Sequence, residues 1–488
     1  MLRSIVLVVI LLCLSACQTQ PKLNPQWADT VAACQDRRDV GATTTALKRI
    51  YARKYLRLVT LNGATSYYLD QNDQQAGLEY ELARKFSNDL GVKLHITTVG
   101  TYRQMVEYLQ QGQADIAAAS LVASPQRRRE LRFGPAYQYV TPLVIYRRGR
   151  PQPRTLEDLR PGHFAISALH SHEEYLQRLA PAASGGVVQP VKIEGTSEDL
   201  MALVWHKKLD YTVVNSHEWS LNRHNFPELR AAFAVANPQP VAWAMRPGCD
   251  QSLAVRVSRF FKMINKNKEL AQLLERYFGH VNQFDYVGTV KFIQHIKGRL
   301  PAYRGLFEET ARDQQLDWRL LASMAYQESH WNPKAVSPTG VRGLMMLTQK
   351  TAADLDLNNR TDPKQSVHGG AVYLRQLMRR LPKAIVGPDR SWMALSAYNV
   401  GYGHLMDARE ITRERGGNAN KWMDVKMNLP LLTQRKWYKK TRNGYARGHE
   451  PVVYVENIRR YLHSLIYFTD EKQNLRLNTY AKVSLQNP

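Results

Sequence analysis

At 488 residues, 44% of them hydrophobic and 22% charged, the chain exceeds one ordinary domain and carries enough apolar content for more than one packed core. A single small domain is excluded. The formal net charge of +25 fits an anionic partner (nucleic acid, an acidic polymer or a membrane surface) or plain solubility, and charge alone does not choose.

The first element in chain order is a short apolar run, residues 5–12, preceded by Arg3. It is too short to span a bilayer as a mature helix and has the form of a secretion signal. It ends in Leu14-Ser15-Ala16-Cys17, which resembles the lipobox of bacterial lipoproteins. That resemblance implies that Cys17 carries a lipid and that the mature chain is anchored to a membrane without spanning it. Of the 4 cysteines, Cys13 leaves with the signal and Cys17 is taken by the anchor. Cys34 and Cys249 remain, either as a disulfide or as two unrelated buried thiols. After the signal and lipobox, residues 1–17, the polar stretch 18–50 reads as a tether.

From residue 51 short strands and helices alternate. Strands are expected at 56–60, 93–98, 115–119, around Val144 and Ile145, at 209–214 and at 241–245. Helices are expected at 79–90, where Leu82, Phe86 and Leu90 share a face and Gly91 is a stop, and at 102–111. This alternation predicts an α/β domain with a largely parallel sheet over 51–281. Beyond Phe284 the strand signals cease. Helical spacing at 306–316, 320–329, 370–378, 392–398 and 452–466 predicts an all-α domain over 282–470. A loose polar tail, 471–488, follows.

The chemistry-bearing segment is Leu320-Leu321-Ala322-Ser323-Met324-Ala325-Tyr326-Gln327-Glu328-Ser329-His330-Trp331-Asn332-Pro333. Leu320, Met324 and Glu328 fall on one helical face, so a carboxylate continues an apolar stripe. Pro333 disfavours helix at Asn332 and puts Glu328 in the final turn. Partial burial and the negative end of the helix dipole both disfavour the ionised form, as a proton donor near neutral pH requires. Taken alone, the spacing equally describes a surface glutamate that ends an amphipathic helix.

Three further motifs decide between these. Ser337-Pro338-Thr339-Gly340-Val341-Arg342-Gly343-Leu344-Met345-Met346-Leu347-Thr348 follows, with two glycines that allow a tight backbone path beside a cleft. Ala397-Tyr398-Asn399-Val400-Gly401 ends another helix, and Glu450 with Tyr454-Val455-Glu456-Asn457-Ile458 comes later. In this order the pieces resemble the catalytic domain of the soluble lytic transglycosylase family, which is related to goose-type lysozyme. The resemblance implies cleavage of the β-1,4 bond between N-acetylmuramic acid and N-acetylglucosamine in peptidoglycan, ending in a 1,6-anhydro product. It also implies that Glu328 is the catalytic acid/base, with Ser329, Met345, Tyr398, Asn399, Glu450 and Tyr454 as substrate-binding or cleft-shaping residues. Most glycosidases need two carboxylates, but here the substrate's own C6 hydroxyl is the nucleophile, so one suffices. The chain departs from many relatives in having Met346 where they carry Gln and Gln349 where they carry Pro.

In the first domain, Gly77-Leu78-Glu79-Tyr80-Glu81-Leu82-Ala83, Gly112-Gln113-Ala114-Asp115-Ile116, Ser124-Pro125-Gln126-Arg127 and Phe133-Gly134-Pro135-Ala136-Tyr137 are similar to amino-acid-type periplasmic solute-binding proteins. Leu274-Glu275-Arg276-Tyr277-Phe278-Gly279 resembles that family's closing helix. The resemblance implies two lobes with an amino acid or muropeptide between them, its carboxylate clamped by Arg127. The adjacent Arg128 and Arg129 read as a solvated charge run. The whole chain is thus expected to be a two-lobed α/β solute-binding-like domain followed by an all-α lysozyme-like transglycosylase domain. Its expected place is the periplasm, at the inner face of the outer membrane, by lipid anchor or peripheral contact.

Two rival readings stay open at this level. A binding or sensory protein with a structural C-terminal domain would need none of the Glu328 motifs, and a hydrolytic muramidase would leave reducing rather than anhydro ends. Nucleic acid is excluded as a partner, because the basic residues read as scattered rather than interleaved with aromatics and the chain is exported. No cofactor is expected. His170 and His172 form a lone H-x-H with no third ligand, so no metal is expected either.

Overall fold

Residues 45–470, apart from 64, 70–73, 161, 170–189, 249, 280–284 and 338–339, are described by the structure, a computed structural model. Cys17, Cys34, Cys249, His170 and His172 lie outside the described residues. The first sheet grows from Tyr55–Leu61, which pairs in parallel with Lys93–Val99 on one side and with Ile116–Ala117 on the other. The helices Leu78–Asp89 and Tyr102–Gln110 make the crossovers that parallel strands require. Ala244–Met245 and Arg132–Phe133 then extend the sheet antiparallel.

The second sheet has the order Val191–Ile193, Phe164–Ser167, Tyr211–Asn215, Pro142–Arg147, Leu229–Ala234. The first three strands run parallel to one another, and Pro142–Arg147 runs antiparallel to both of its neighbours. The two lobes are as expected, but in place of a largely parallel sheet each holds a mixed five-stranded sheet. The reason is visible at the crossing. Gln138–Val140 leaves the first lobe and Gln239–Val241 returns to it, and these two strands pair antiparallel. A chain that passes out and back must bring strands of both directions into each sheet.

The first lobe is centred on Trp243, with Phe261 and Phe260 at ring-centroid distances of 4.9 and 6.1 Å. Glu79 is buried in the same lobe, where burial raises its pKa. It is satisfied by the indole N–H of Trp243 at 2.8 Å, the backbone N–H of Ser120 at 2.6 Å and the hydroxyl of Tyr137.

The C-terminal half is helical. Trp318–Ser329, Pro363–Arg380, Pro388–Val400 and Tyr402–Glu414 pack with the last helix, His449–Thr469, around one apolar core. Pro363–Arg380 starts well before the expected 370–378. Asp362 accepts from the backbone N–H of Gln365 at 2.9 Å and Pro363 occupies the first turn, a start signal that outweighs its glycines.

The last helix joins the two halves. Near its end Tyr467 packs on Phe226 of the second lobe at 5.2 Å between ring centroids, and the hydroxyl of Ser464 donates to Asn225 at 2.9 Å. In its middle Arg459, almost wholly buried, pairs with Glu275 of the first lobe at 3.0 Å. Burial alone would raise the Glu275 carboxyl, but Arg459 and Lys426 outweigh it and hold it below the usual glutamate value. Next to it Arg276 bridges Glu81 of the first lobe at 2.6 Å and Asp389 of the helical half at 3.3 Å.

Candidate active site

Glu328 is the penultimate residue of Trp318–Ser329, a helix started by Asp317, whose side chain accepts from the N–H of Arg319 at 2.7 Å. The helix ends at Ser329, as the expected 320–329 has it. His330 and Trp331 both adopt left-handed backbone, φ 51° and 56°, so the chain leaves the helix directly after Ser329. Trp331 holds this exit. Its side chain is 1% exposed, and its indole N–H donates to the carbonyl of Ala322 at 2.8 Å.

The carboxyl of Glu328 is mostly buried, and burial raises its pKa to about 7. The hydroxyl of Tyr454, from the second turn of His449–Thr469, donates to its Oε1 at 2.6 Å and draws the value down somewhat. Burial also raises the pKa of both Tyr454 and Tyr398, and the neighbouring Glu328 adds to it, so both stay protonated donors. Among the described residues no second carboxylate perturbs Glu328. The arrangement presents one carboxylic acid near neutral pH, with one oxygen occupied by a phenol.

The remaining predicted residues fall into different places. Ser329 is buried, and its Oγ donates to the carbonyl of Ala325 at 3.0 Å and of Leu344 at 2.9 Å. It fastens the helix end to the Gly343–Leu344 turn. Tyr398 donates to the carbonyl of Met345 at 3.0 Å and so holds the same turn from the other side. The side chain of Met345 does not line a groove. It is 0% exposed and packed so closely against Gly370 that a Cβ there would lie 2.7 Å from its Cε. A large apolar side chain beneath a helix surface stripped to glycine belongs to the core, and Met345 serves the site through its backbone. Asn399 is exposed on the last turn of Pro388–Val400. Glu450 is exposed and pairs with Arg447 at 3.2 Å.

Ser366 was not singled out by sequence. Fully buried, its Oγ accepts from the N–H of Met345 at 3.1 Å and completes the hold on the turn. The Asp362-Pro363 start signal would have placed it on the helix.

Arg127 is buried in the cleft between the lobes, its guanidinium 3.9 Å from the ring centroid of Tyr102 and donating to the carbonyl of Leu169 at 3.2 Å. Ser120, Thr196, Ser197, Glu198 and Glu218 line the same cleft.

With this geometry in place, comparison with known proteins is decisive. The model of the transglycosylase SLT domain matches residues 305–421, and that of the bacterial extracellular solute-binding proteins, family 3, matches 56–280. Membrane-bound lytic murein transglycosylase F 1 of Alkalilimnicola ehrlichii is 46% identical over 427 residues, 87% of this chain and 86% of that protein. The membrane-bound lytic murein transglycosylase F of Hahella chejuensis is 44% identical over 427 residues, 87% of this chain and 84% of its own.

The chain belongs to the membrane-bound lytic murein transglycosylase F family.

As a member of this family it is a peptidoglycan lytic transglycosylase of the cell envelope. Among solved structures, an ancestral arginine-binding protein bound to arginine is 19% identical with a TM-score of 0.41, covering 46% of this chain and 99% of its own. The SLT match stops at residue 421, so Tyr454 joins a transglycosylase F site here through its bond to Glu328. No helix among the described residues is long and apolar enough to cross a membrane.

That bond yields a prediction. Tyr454→Phe keeps the ring and removes the donor, so the titration of Glu328 moves further up. The descending limb of the pH–rate profile is expected to shift to higher pH, with kcat lowered about 10- to 100-fold. An unshifted limb would mean that the hydroxyl does not act on Glu328 in solution.

Proposed function

We propose that Glu328 carries out both proton transfers of the transglycosylase reaction. The proton of its carboxyl passes to the glycosidic oxygen as the bond to C1 breaks, and the N-acetylglucosamine side leaves as an alcohol. The carboxylate so formed then takes the proton of the muramic acid C6 hydroxyl, whose oxygen bonds to C1. No water is consumed, and Glu328 ends as it began. The observation that carries this reading is the lone, mostly buried carboxyl with a pKa of about 7. An acid with this value is protonated often enough to donate at neutral pH and ionised easily enough to act next as a base. Tyr454 keeps Oε1 in place, and Oε2 is assigned to the reacting groups. Ser329 and Tyr398 position the turn at Gly343–Leu344, and Asn399 and Glu450, both exposed, are assigned to contact with the glycan strand.

The test is mass spectrometry of muropeptides released from purified sacculi in ¹⁸O-water. Anhydro ends without ¹⁸O are expected. Reducing ends that contain ¹⁸O would establish a muramidase instead.

The proposal extends to the rest of the chain, divided at residues 51–281 and 282–470. A lipid on Cys17 holds the enzyme at the inner face of the outer membrane. The cleft at Arg127 takes an amino acid or muropeptide, supported by its buried guanidinium and polar lining. Ligand binding there gates the catalytic cleft, and this requires different affinities for the open and closed states. Equal turnover with and without soluble muropeptides would contradict the gating.

A further inference from the structure

Between Gln434 and Gly448 the sequence carries Arg435, Lys436, Lys439, Lys440, Arg442 and Arg447, and no Asp or Glu. Trp437, Tyr438 and Tyr445 stand among them. Here the basic residues are interleaved with aromatics, contrary to the scattered distribution read from the sequence as a whole. Arg447 is taken by Glu450 at 3.2 Å. The other five cations are exposed, and among the described residues none pairs with a carboxylate.

The stretch is folded rather than trailing. Arg435–Tyr438 forms one helical turn, and Thr441 donates to the carbonyl of Tyr438 at 2.9 Å. The rings of Tyr438 and Tyr445 meet edge to face at 5.7 Å, and Tyr445 is 56% exposed. Asn443 is clasped by Asp407, its backbone N–H at 3.1 Å and its Nδ2 at 3.0 Å. The same amide lies so close over Gly403 that a Cβ there would be 2.6 Å from its Oδ1. At the far end, a Cβ on Gly448 would lie 1.7 Å from the carbonyl oxygen of Leu429.

These fixings place the stretch beside the site. Gly403 lies in the first turn of the helix that follows Tyr398 across the break at Gly401, and His449 begins the helix that carries Tyr454 five residues on. Five residues of helix are about 7.5 Å, so the base of the stretch lies within about two turns of the phenol that holds Glu328. Lys436 and Lys440 lie over the ring of Trp437 at 5.8 and 5.9 Å, but five cations with no carboxylate partner on one short segment repel one another and favour a multivalent anion. A peptidoglycan strand bound at Glu328 supplies one, because each muramic acid bears a peptide with several carboxylates. The partly exposed rings offer apolar faces to the same substrate.

We propose that residues 435–445 are a specificity element that binds the carboxylates of the stem peptides next to the cleaved bond, so that the enzyme selects peptide-bearing over bare glycan. The proposal rests on the placement of the substrate at Glu328. Its location between Tyr402–Glu414, the helix that follows Tyr398, and the helix that carries Tyr454 favours the substrate over an anionic lipid surface.

The experiment compares wild type with the triple variant Lys439→Gln, Lys440→Gln, Arg442→Gln on intact strands and on strands freed of peptides by an amidase. Anhydro products from wild type on intact strands, absent with Glu328→Gln, check the underlying site independently of the triple variant. On intact strands the variant's KM is expected to rise about tenfold with kcat within twofold, as lost rim charges do. On bare strands the two enzymes should agree, and Lys439→Arg with Lys440→Arg should retain wild-type KM. Raising salt from about 0.05 to 0.3 M should erase the wild-type preference. An unchanged KM, or an equal rise on bare strands, would overturn the proposal. So would loss of binding to phosphatidylglycerol vesicles with KM unaltered, which would make the stretch a membrane contact.

Discussion

Glu328→Gln is expected to lower the release of anhydro-muropeptides by at least about a thousandfold while leaving KM within a few-fold of wild type. Gln keeps the size of the side chain and still accepts the hydroxyl of Tyr454, but it can neither give nor take the proton. Each half of the reaction moves a proton through that carboxyl, and among the described residues no second carboxylate perturbs the site. The same substitution should stabilise the protein, with a definite pH dependence. Burial raises the carboxyl from 4.5 to about 7, so between those values the folded state holds a proton that the unfolded chain has lost. Stability therefore falls as pH rises through that window and stays lower above it. Gln carries no such penalty. Urea unfolding at pH 8 should find the variant more stable by about 2–3 kcal/mol, and the difference should close on acidification below the window. A variant no more stable at pH 8 would mean that Glu328 ionises without cost, as a surface glutamate does.

The second large effect is expected at Gly343. Gly343→Ala should cost at least about 3 kcal/mol and remove most activity at temperatures where the variant is still folded. Gly343 has φ +89°, and an added Cβ would lie 2.0 Å from the carbonyl oxygen of Arg360 and 2.8 Å from Oγ of Ser366. The first is backbone and cannot swing away. Arg360 is itself tied down, its guanidinium donating to the carbonyls of Leu347 at 2.9 Å and Gly340 at 3.3 Å. The turn must therefore shift, and it carries the Leu344 carbonyl that receives Ser329 and the Met345 carbonyl that receives Tyr398. Gly340 provides the control. Its φ is +79°, but among the described residues nothing lies within 4 Å of an added Cβ, so Gly340→Ala should cost only the backbone strain, about 1 kcal/mol. Thermal unfolding of the two variants, with turnover of sacculi, separates crowding from strain.

Much of this was legible in the sequence where a short-range pattern carried it. Apolar spacing found the strand Tyr55–Leu61 and the helices Leu78–Asp89 and Trp318–Ser329 to within a residue or two. The stripe of Leu320, Met324 and Glu328 pointed to a buried acid because one helical face is a local property. Strand direction was not local. The antiparallel placement of Pro142–Arg147 depends on where the chain crosses between lobes. The helix Tyr402–Glu414 was passed over because Gly401 reads as a stop, yet at φ +92° it ends one helix and begins the next. Met345 was read as a groove residue because its motif borders the cleft, and only the missing side chain at Gly370 reveals why it turns inward. The pairing of Arg459 with Glu275 joins residues 184 apart, and nothing in either neighbourhood announces the other.

The most direct test of the account is a site-specific titration of Glu328 in the folded enzyme, by NMR of ¹³C-carboxyl-labelled glutamate with Glu328→Gln identifying the resonance. A midpoint near 7 is expected, coincident with the pH above which kcat/KM of the wild type declines. A midpoint near 4.5 would contradict it, because a carboxyl ionised throughout the neutral range cannot supply the proton on which the reaction depends.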